Sequence, residues 1–260
     1  VISGSLDYYL ERYGTLQVHI VLHYFTFDQS NPGSIYNSLR VARENAHAVR
    51  GKITAEMWES INTTWIELQE ISAAGLLGFG VSSFFDWVKQ RSHLFRGAAY
   101  GTIMRNDAFR FLRIGTFIER ADNTARILAG RDMAEIADAG SAVEFYRWNA
   151  LLRSVGAFEA YREIYSDSLQ FEHIVDLLIL RAEVPRSLRS CVEMLCELLP
   201  AIEGNAGINA KRQAAVMFAR LQYGDIRYIL DTGVNEYLGD FLRRINELAD
   251  TLRQEYLEVV

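Results

Sequence analysis

The chain has 260 residues, half of them hydrophobic, which is enough apolar content to bury a real core. A net charge of −6 excludes a general nucleic-acid binder, which needs a positive field to neutralise phosphates. No apolar run reaches the roughly 18 residues of a membrane span, and the start VISGSLDYYLERYG lacks a basic segment leading into an apolar one, so the expected setting is cytoplasmic with no membrane contact.

Apolar residues recur at steps of three and four, strict alternation is nearly absent, and the prolines are Pro32, Pro185 and Pro200, a pattern that predicts an all-α chain. The expected architecture is a multi-helix bundle of about eight to ten helices, at 15–27, 34–51, 54–72, 81–96, 105–130, 142–165, 167–181, 186–203, 208–230 and 234–257. Asn31 before Pro32 reads as a helix opening, since Asn accepts free N–H groups and Pro at the first helical position loses no bond; Pro185 opens another helix the same way. Gly75, Gly78 and Gly80 mark a break, so a single domain over 1–260 is expected, with a subdivision near 74–80. Cys191 and Cys196 lie at a spacing that suits neither a metal knuckle nor a local disulfide, and they read as reduced, buried thiols. In the last helix Leu238, Phe241, Ile245, Leu248 and Leu252 form one apolar seam, fit for core docking or for a homo-oligomer interface.

Two segments carry ordered charge. In GTIMRNDAFRFLRIGTFIERADNTARIL, Phe111, Ile114, Ile118, Ala121, Ala125 and Leu128 make the apolar seam, while Arg113, Thr116, Glu119, Arg120, Asn123 and Arg126 share the polar arc. In SLRVARENAHAVRGKITAEMWESIN the seam is Leu39, Ala42, Ala46, Val49 and Ile53, with Arg40, Arg43, Glu44, His47 and Arg50 around it. Each charged face is either a solvated helix surface or one wall of a polar cavity whose arginines select an anion. All basic residues except Lys52, Lys89 and Lys211 are arginine, which fits carboxylate recognition and fits codon bias equally well.

Neither metal nor nucleotide chemistry is indicated. Glu44 and His47 form one Glu-x-x-His pair of the kind used in di-iron bundles, but no second one occurs, so no metal and no cofactor are expected. There is no nucleophile elbow and no Gly-rich phosphate loop with Lys. Glu119 beside Arg120 is a poor proton donor at neutral pH, because a neighbouring guanidinium lowers a carboxyl pKa, so charge pairing or ligand orientation suits it better.

With FDQSNPGSIYNSLRVARENAHAVRGKITAEMWESIN, the Gly101–Leu128 segment, WNALLRSVGAFEAYR and VPRS in view, the chain resembles the bacterial alpha-E family, a helical domain named for a Glu-Arg motif. The resemblance spans roughly residues 10–200 and singles out Asp28, Asn31, Pro32, Ser34, Arg40, Arg43, Glu44, Asn45, Arg50, Glu56, Trp58 and Asn62. Further along it singles out Arg105, Glu119, Arg120, Ala121, Arg126, Trp148, Arg153, Tyr161, Pro185, Arg186 and Ser187. The family usually has Arg where this chain has His47. Its members typically begin with a further helix carrying its own Glu-Arg segment, which implies a chain truncated at its N-terminus.

The resemblance further implies company: such proteins are similar to helical partners of circularly permuted ATP-grasp ligase-like and transglutaminase-like proteins. From this follows the expectation of a noncatalytic binding or scaffolding component of a peptide-ligase system. Its ligand-binding set would be Arg40, Arg43, Glu44, Arg50, Arg105, Glu119, Arg120, Arg126 and Arg186, facing an anionic ligand or acidic peptide. Two readings compete with it. One is an enzyme acting on an amide or peptide in the same pocket, with Glu119 moving the proton and Tyr161 donating a hydrogen bond. The other is a Glu/Arg network that only fixes helix register.

Overall fold

The computed structural model of the protein describes residues 6–130, 142–166, 169–204 and 206–256. These residues form thirteen α-helices and no strand. They divide into two compact units, Val1–Ala108 and Phe109–Val260. The all-α expectation holds, but the helix number exceeds eight to ten for three local reasons. A short helix, α1 (Leu6–Tyr13), precedes the first expected one. The expected 142–165 helix breaks at Gly156, whose φ of 63° is the left-handed region open to glycine, and the expected 208–230 helix breaks at Gly224–Asp225.

The first unit continues with α2 (Val18–Thr26), α3 (Ile35–Ala48), a 3₁₀ turn at Arg50–Lys52, α4 (Ala55–Phe79) and α5 (Val81–Thr102). Its core is aromatic: Phe27, Leu68, Ile71, Phe84 and Trp87 are buried, and Ile35, Tyr36, Leu39 and Trp65 pack against them. Gly75 leaves helical geometry inside α4, at φ 76°, and Gly80 at φ 93° separates α4 from α5. Across that hairpin Trp87 Nε1 donates to Glu67 at 2.8 Å, Arg91 pairs with Glu67 at 2.6 Å, and the Thr54 and Thr102 hydroxyls meet at 2.7 Å.

The loop before α3 corrects one expectation. The helix is capped by Ser34, whose Oγ accepts from Asn37 N at 3.2 Å, and Asn31–Pro32 forms the turn ahead of it. Asn31 is fully buried and shapes that turn: its Nδ2 donates to Tyr24 O at 2.9 Å and its Oδ1 accepts from Gly33 N at 3.0 Å. Asn37 Nδ2 adds bonds to Gln29 O and Asn31 O, both at 2.8 Å. These bonds on the buried side chains of Asn31, Ser34 and Asn37 tie the turn to the start of α3.

The second unit holds α6 (Asp107–Ala129), which opens at the boundary, then α7 (Ala142–Ser154), α8 (Phe158–Tyr165), α9 (Phe171–Leu180) and α10 (Leu188–Leu198). After these come α11 (Ile208–Gln222), α12 (Ile226–Thr232) and α13 (Val234–Tyr256). Its core is aliphatic, built from the fully buried residues Leu151, Leu152, Ile174, Leu177, Leu178 and Leu195. The expected α13 seam of Leu238, Phe241, Ile245, Leu248 and Leu252 belongs to that core. On α6, Ile114, Ala121, Ala125 and Leu128 are buried while Phe111 and Ile118 pack at the margin.

The two units share a local design. Leu16-Gln17 before α2 and Pro32-x-Ser34 before α3 are matched, at the same interval, by Leu169-Gln170 before α9 and Pro185-x-Ser187 before α10. Ser34 and Ser187 have the same backbone geometry, φ −65° and −64° with ψ 153°, and each caps its helix by accepting from the N–H three residues on. Pro185, like Pro32, therefore stands in the turn, not in the helix. No described helix is long and apolar enough to cross a membrane.

Candidate functional site

Arg40, Arg43, Glu44, Arg50 and Arg105 fall in the first unit, and Glu119, Arg120, Arg126 and Arg186 in the second. Within each unit the structure sorts them by what holds their charge.

In the first unit α3 ends at Val49, whose N–H bonds Asn45 O at 3.1 Å, and the 3₁₀ turn sends the chain back so that α4 packs along α3. Thr54 caps α4, its Oγ1 accepting from Met57 N at 3.3 Å. This hairpin brings Arg43 and His47, one turn apart on α3, and Arg50 of the turn around the half-buried Trp58 of α4. The guanidinium carbons of Arg43 and Arg50 lie 5.7 and 5.6 Å from the indole ring, and the His47 ring lies 5.7 Å away. Asn62, one turn beyond Trp58, accepts from Arg43 Nε at 2.8 Å. Neither Arg43 nor Arg50 has a carboxylate partner among the described residues. The terminal amino groups of Arg43 likewise have no protein acceptor there. Stacking on an indole orients a guanidinium without neutralising it, so its donor fork stays available to a planar anion.

Arg40 differs. Its Nη1 donates to Glu44 at 2.9 Å and its Nε to Asn37 at 3.3 Å, an exposed helix pair worth about 0.2–0.5 kcal/mol. Glu44 is thereby engaged with Arg40 while His47 packs on Trp58, so the Glu-x-x-His residues serve different neighbours. Arg105 Nη2 donates to Tyr100 O at 2.7 Å beside the Tyr100 ring. Val49, expected in the seam, is 48% exposed, because α3 has ended there.

In the second unit Glu119 and Arg120 do not pair with each other, since adjacent helix residues point apart. Glu119 is exposed and accepts from Asn123 Nδ2 at 2.5 Å; Arg120 lies 5.5 Å from the Phe117 ring. Arg126 is committed to Asp122 by two bonds of 2.7 and 3.0 Å, which raise its pKa. Beside the arc the buried Thr124 Oγ1 donates to Arg186 O at 2.9 Å, pinning the turn before α10 to α6. The Cys191 thiol beneath it is pushed up to about 12 by burial and by Glu119, with Arg120 and Arg186 pulling the other way. Glu119, Arg120 and Arg186 thus lie within electrostatic reach of one buried thiol. Tyr161 is fully buried and its hydroxyl accepts from Gln170 N at 3.0 Å, a core position away from solvent.

Sequence reasoning passed over a second Glu-Arg dipeptide, Glu11–Arg12. Arg12 Nε lies 3.9 Å from Asp28, which also accepts from the Tyr13 hydroxyl and from Ser30 N and Oγ at 2.8 Å each. Burial pushes the Asp28 carboxyl up, but these bonds and the Arg12 charge outweigh it and leave it below the usual carboxylate range. A similar cluster stands in the second unit, where Asp176 accepts from the Tyr165 hydroxyl and from Arg181 Nε at 2.7 Å. The repeated dipeptide was the signal that could have located the first of these.

The described residues are all-helical, and the sequence carries two Glu-Arg dipeptides, Glu11–Arg12 and Glu119–Arg120. Over residues 1–257 the chain matches the Alpha-E family, described as a predicted alpha-helical domain with a conserved ER motif. It belongs to that family. Neither a curated protein nor a solved structure matches it.

Proposed function

We propose that this Alpha-E chain is a noncatalytic binding component of a peptide-ligase system, working beside an ATP-grasp ligase-like or transglutaminase-like protein. Its arginine face receives the carboxylates of an acidic peptide. One observation carries the reading: Arg43 and Arg50 flank Trp58 with no carboxylate partner among the described residues, while Arg40 and Arg126 are already paired. A helix that needed arginines only for solubility would leave them solvated or pair them along its own surface, as it does at Arg40. Holding Arg43 by both Asn62 and Trp58 removes rotamer freedom before a ligand arrives, which strengthens binding.

Fluorescence anisotropy with a labelled oligoglutamate peptide tests this. Arg43→Ala is expected to weaken binding about tenfold, the effect of losing one charge-assisted bond, and Arg43→Lys should recover little because an ammonium cannot supply the fork. Arg40→Ala serves as the control and should change affinity less than about twofold. Equal binding by Arg43→Ala and wild type, with helical circular dichroism intact, would overturn the proposal.

A further inference from the structure

Away from the arginine face, a cleft of about 510 Å³ opens in the second unit where the end of α11, the turn into α12 and the start of α13 meet. Tyr223 and Tyr228 stand 82% and 64% exposed on its walls, and Tyr237 lines it from α13. The Tyr237 hydroxyl has no hydrogen bond among the described residues. Three tyrosines therefore line one cleft, two of them with largely exposed rings.

The charges around the cleft are unequal in availability. Arg220 faces Asp240 at 3.2 Å, and Asp240 also takes Arg243 and, at 2.7 Å, Arg244. Arg220, the cation among the described lining residues, is therefore engaged. Glu236 and Asp225 have no ion pair among the described residues; Asp225 only caps α12, accepting from Arg227 N at 2.9 Å. What the cleft offers a ligand is aromatic faces and spare carboxylates, and both attract cations.

We propose that this cleft binds the cationic side chain of a basic peptide, with an arginine or lysine seated between Tyr223 and Tyr228 and its charge met by Glu236. The site takes the opposite charge to the Arg43 face and stands or falls without it. Its expected ligand affinity is modest, since a single aromatic cage at the surface contributes about one decade of binding.

The test is a titration of the whole chain with acetyl-Gly-Arg-Gly-amide, read from the tyrosine ring signals by NMR, beside the same peptide carrying neutral citrulline. Saturable shifts with the arginine peptide are expected, with the citrulline peptide about tenfold weaker. Tyr228→Ala and Glu236→Gln should each weaken the arginine peptide about threefold to tenfold, whereas Tyr228→Phe retains the ring and the binding. Both side chains are exposed, so the variants keep the fold. Equal affinity for citrulline, absence of saturation, or indifference to Tyr228→Ala would overturn the proposal.

Discussion

Arginines of one sequence type do different work according to what lies opposite them. Arg126 is locked to Asp122, whereas Arg43 faces an indole and an amide and has no carboxylate partner among the described residues. The same logic applies to Asp28, 7% exposed and held by Tyr13, Ser30 and Arg12. Its carboxyl lies below the ordinary value, so the stability it adds is present above the usual carboxylate range and is lost as pH falls through its folded pKa. Asp28→Asn should therefore destabilise by about 1–3 kcal/mol at neutral pH, a deficit that shrinks in acid; thermal melts from pH 7 to pH 3 would show the two curves converging. Burial raises the Cys191 and Cys196 thiols to about 12 and about 11. Neither should be alkylated by iodoacetamide at pH 8 in the native chain, and both should react once it is unfolded.

At the scale of elements, capping and glycine geometry decide where helices stop. Ser187 Oγ accepts from Ser190 N and donates to Arg181 O, so Ser187→Ala should cost about 1–2 kcal/mol in a denaturant melt, and Ser34→Ala about 1. A Cβ at Gly207, whose φ is 79°, would fall on the Tyr256 ring, whereas one at Gly233, φ 93°, meets open space. Gly207→Ala should cost about 3 kcal/mol, roughly double Gly233→Ala, because only the first adds a clash to backbone strain. The periodic seams of α6 and α13 were legible in sequence because their apolar residues repeat over roughly four to five turns. The break at Gly156 was not, since one glycine inside a helical pattern is tolerated on average. The Tyr223-Gly224-Asp225 turn carried its own signal, a glycine followed by a capping aspartate, beneath an uninterrupted apolar rhythm.

At the scale of the molecule, the two units repeat one entrance to a helix pair, with Pro-x-Ser turning the chain and a Tyr–Asp–Arg cluster beside it. Much of what the family resemblance singled out, Asp28, Asn31, Pro32, Ser34, Pro185 and Ser187, builds these entrances. Arg43, Arg50, Trp58 and Asn62 lie apart from these entrances, where α3 packs along α4. Sequence alone could place Arg43 on a charged face but could not show that Trp58 lies under it, because that contact depends on how the 3₁₀ turn sets α4 against α3. Trp58 is also the natural reporter, being one of four tryptophans with Trp65, Trp87 and Trp148. The decisive measurement is fluorine NMR of the chain labelled with 5-fluorotryptophan during titration with oligoglutamate. The account predicts a saturable shift of the Trp58 signal that disappears in Arg43→Ala, with Trp87 and Trp148 unmoved; a Trp58 signal that stays fixed at saturating peptide would contradict it.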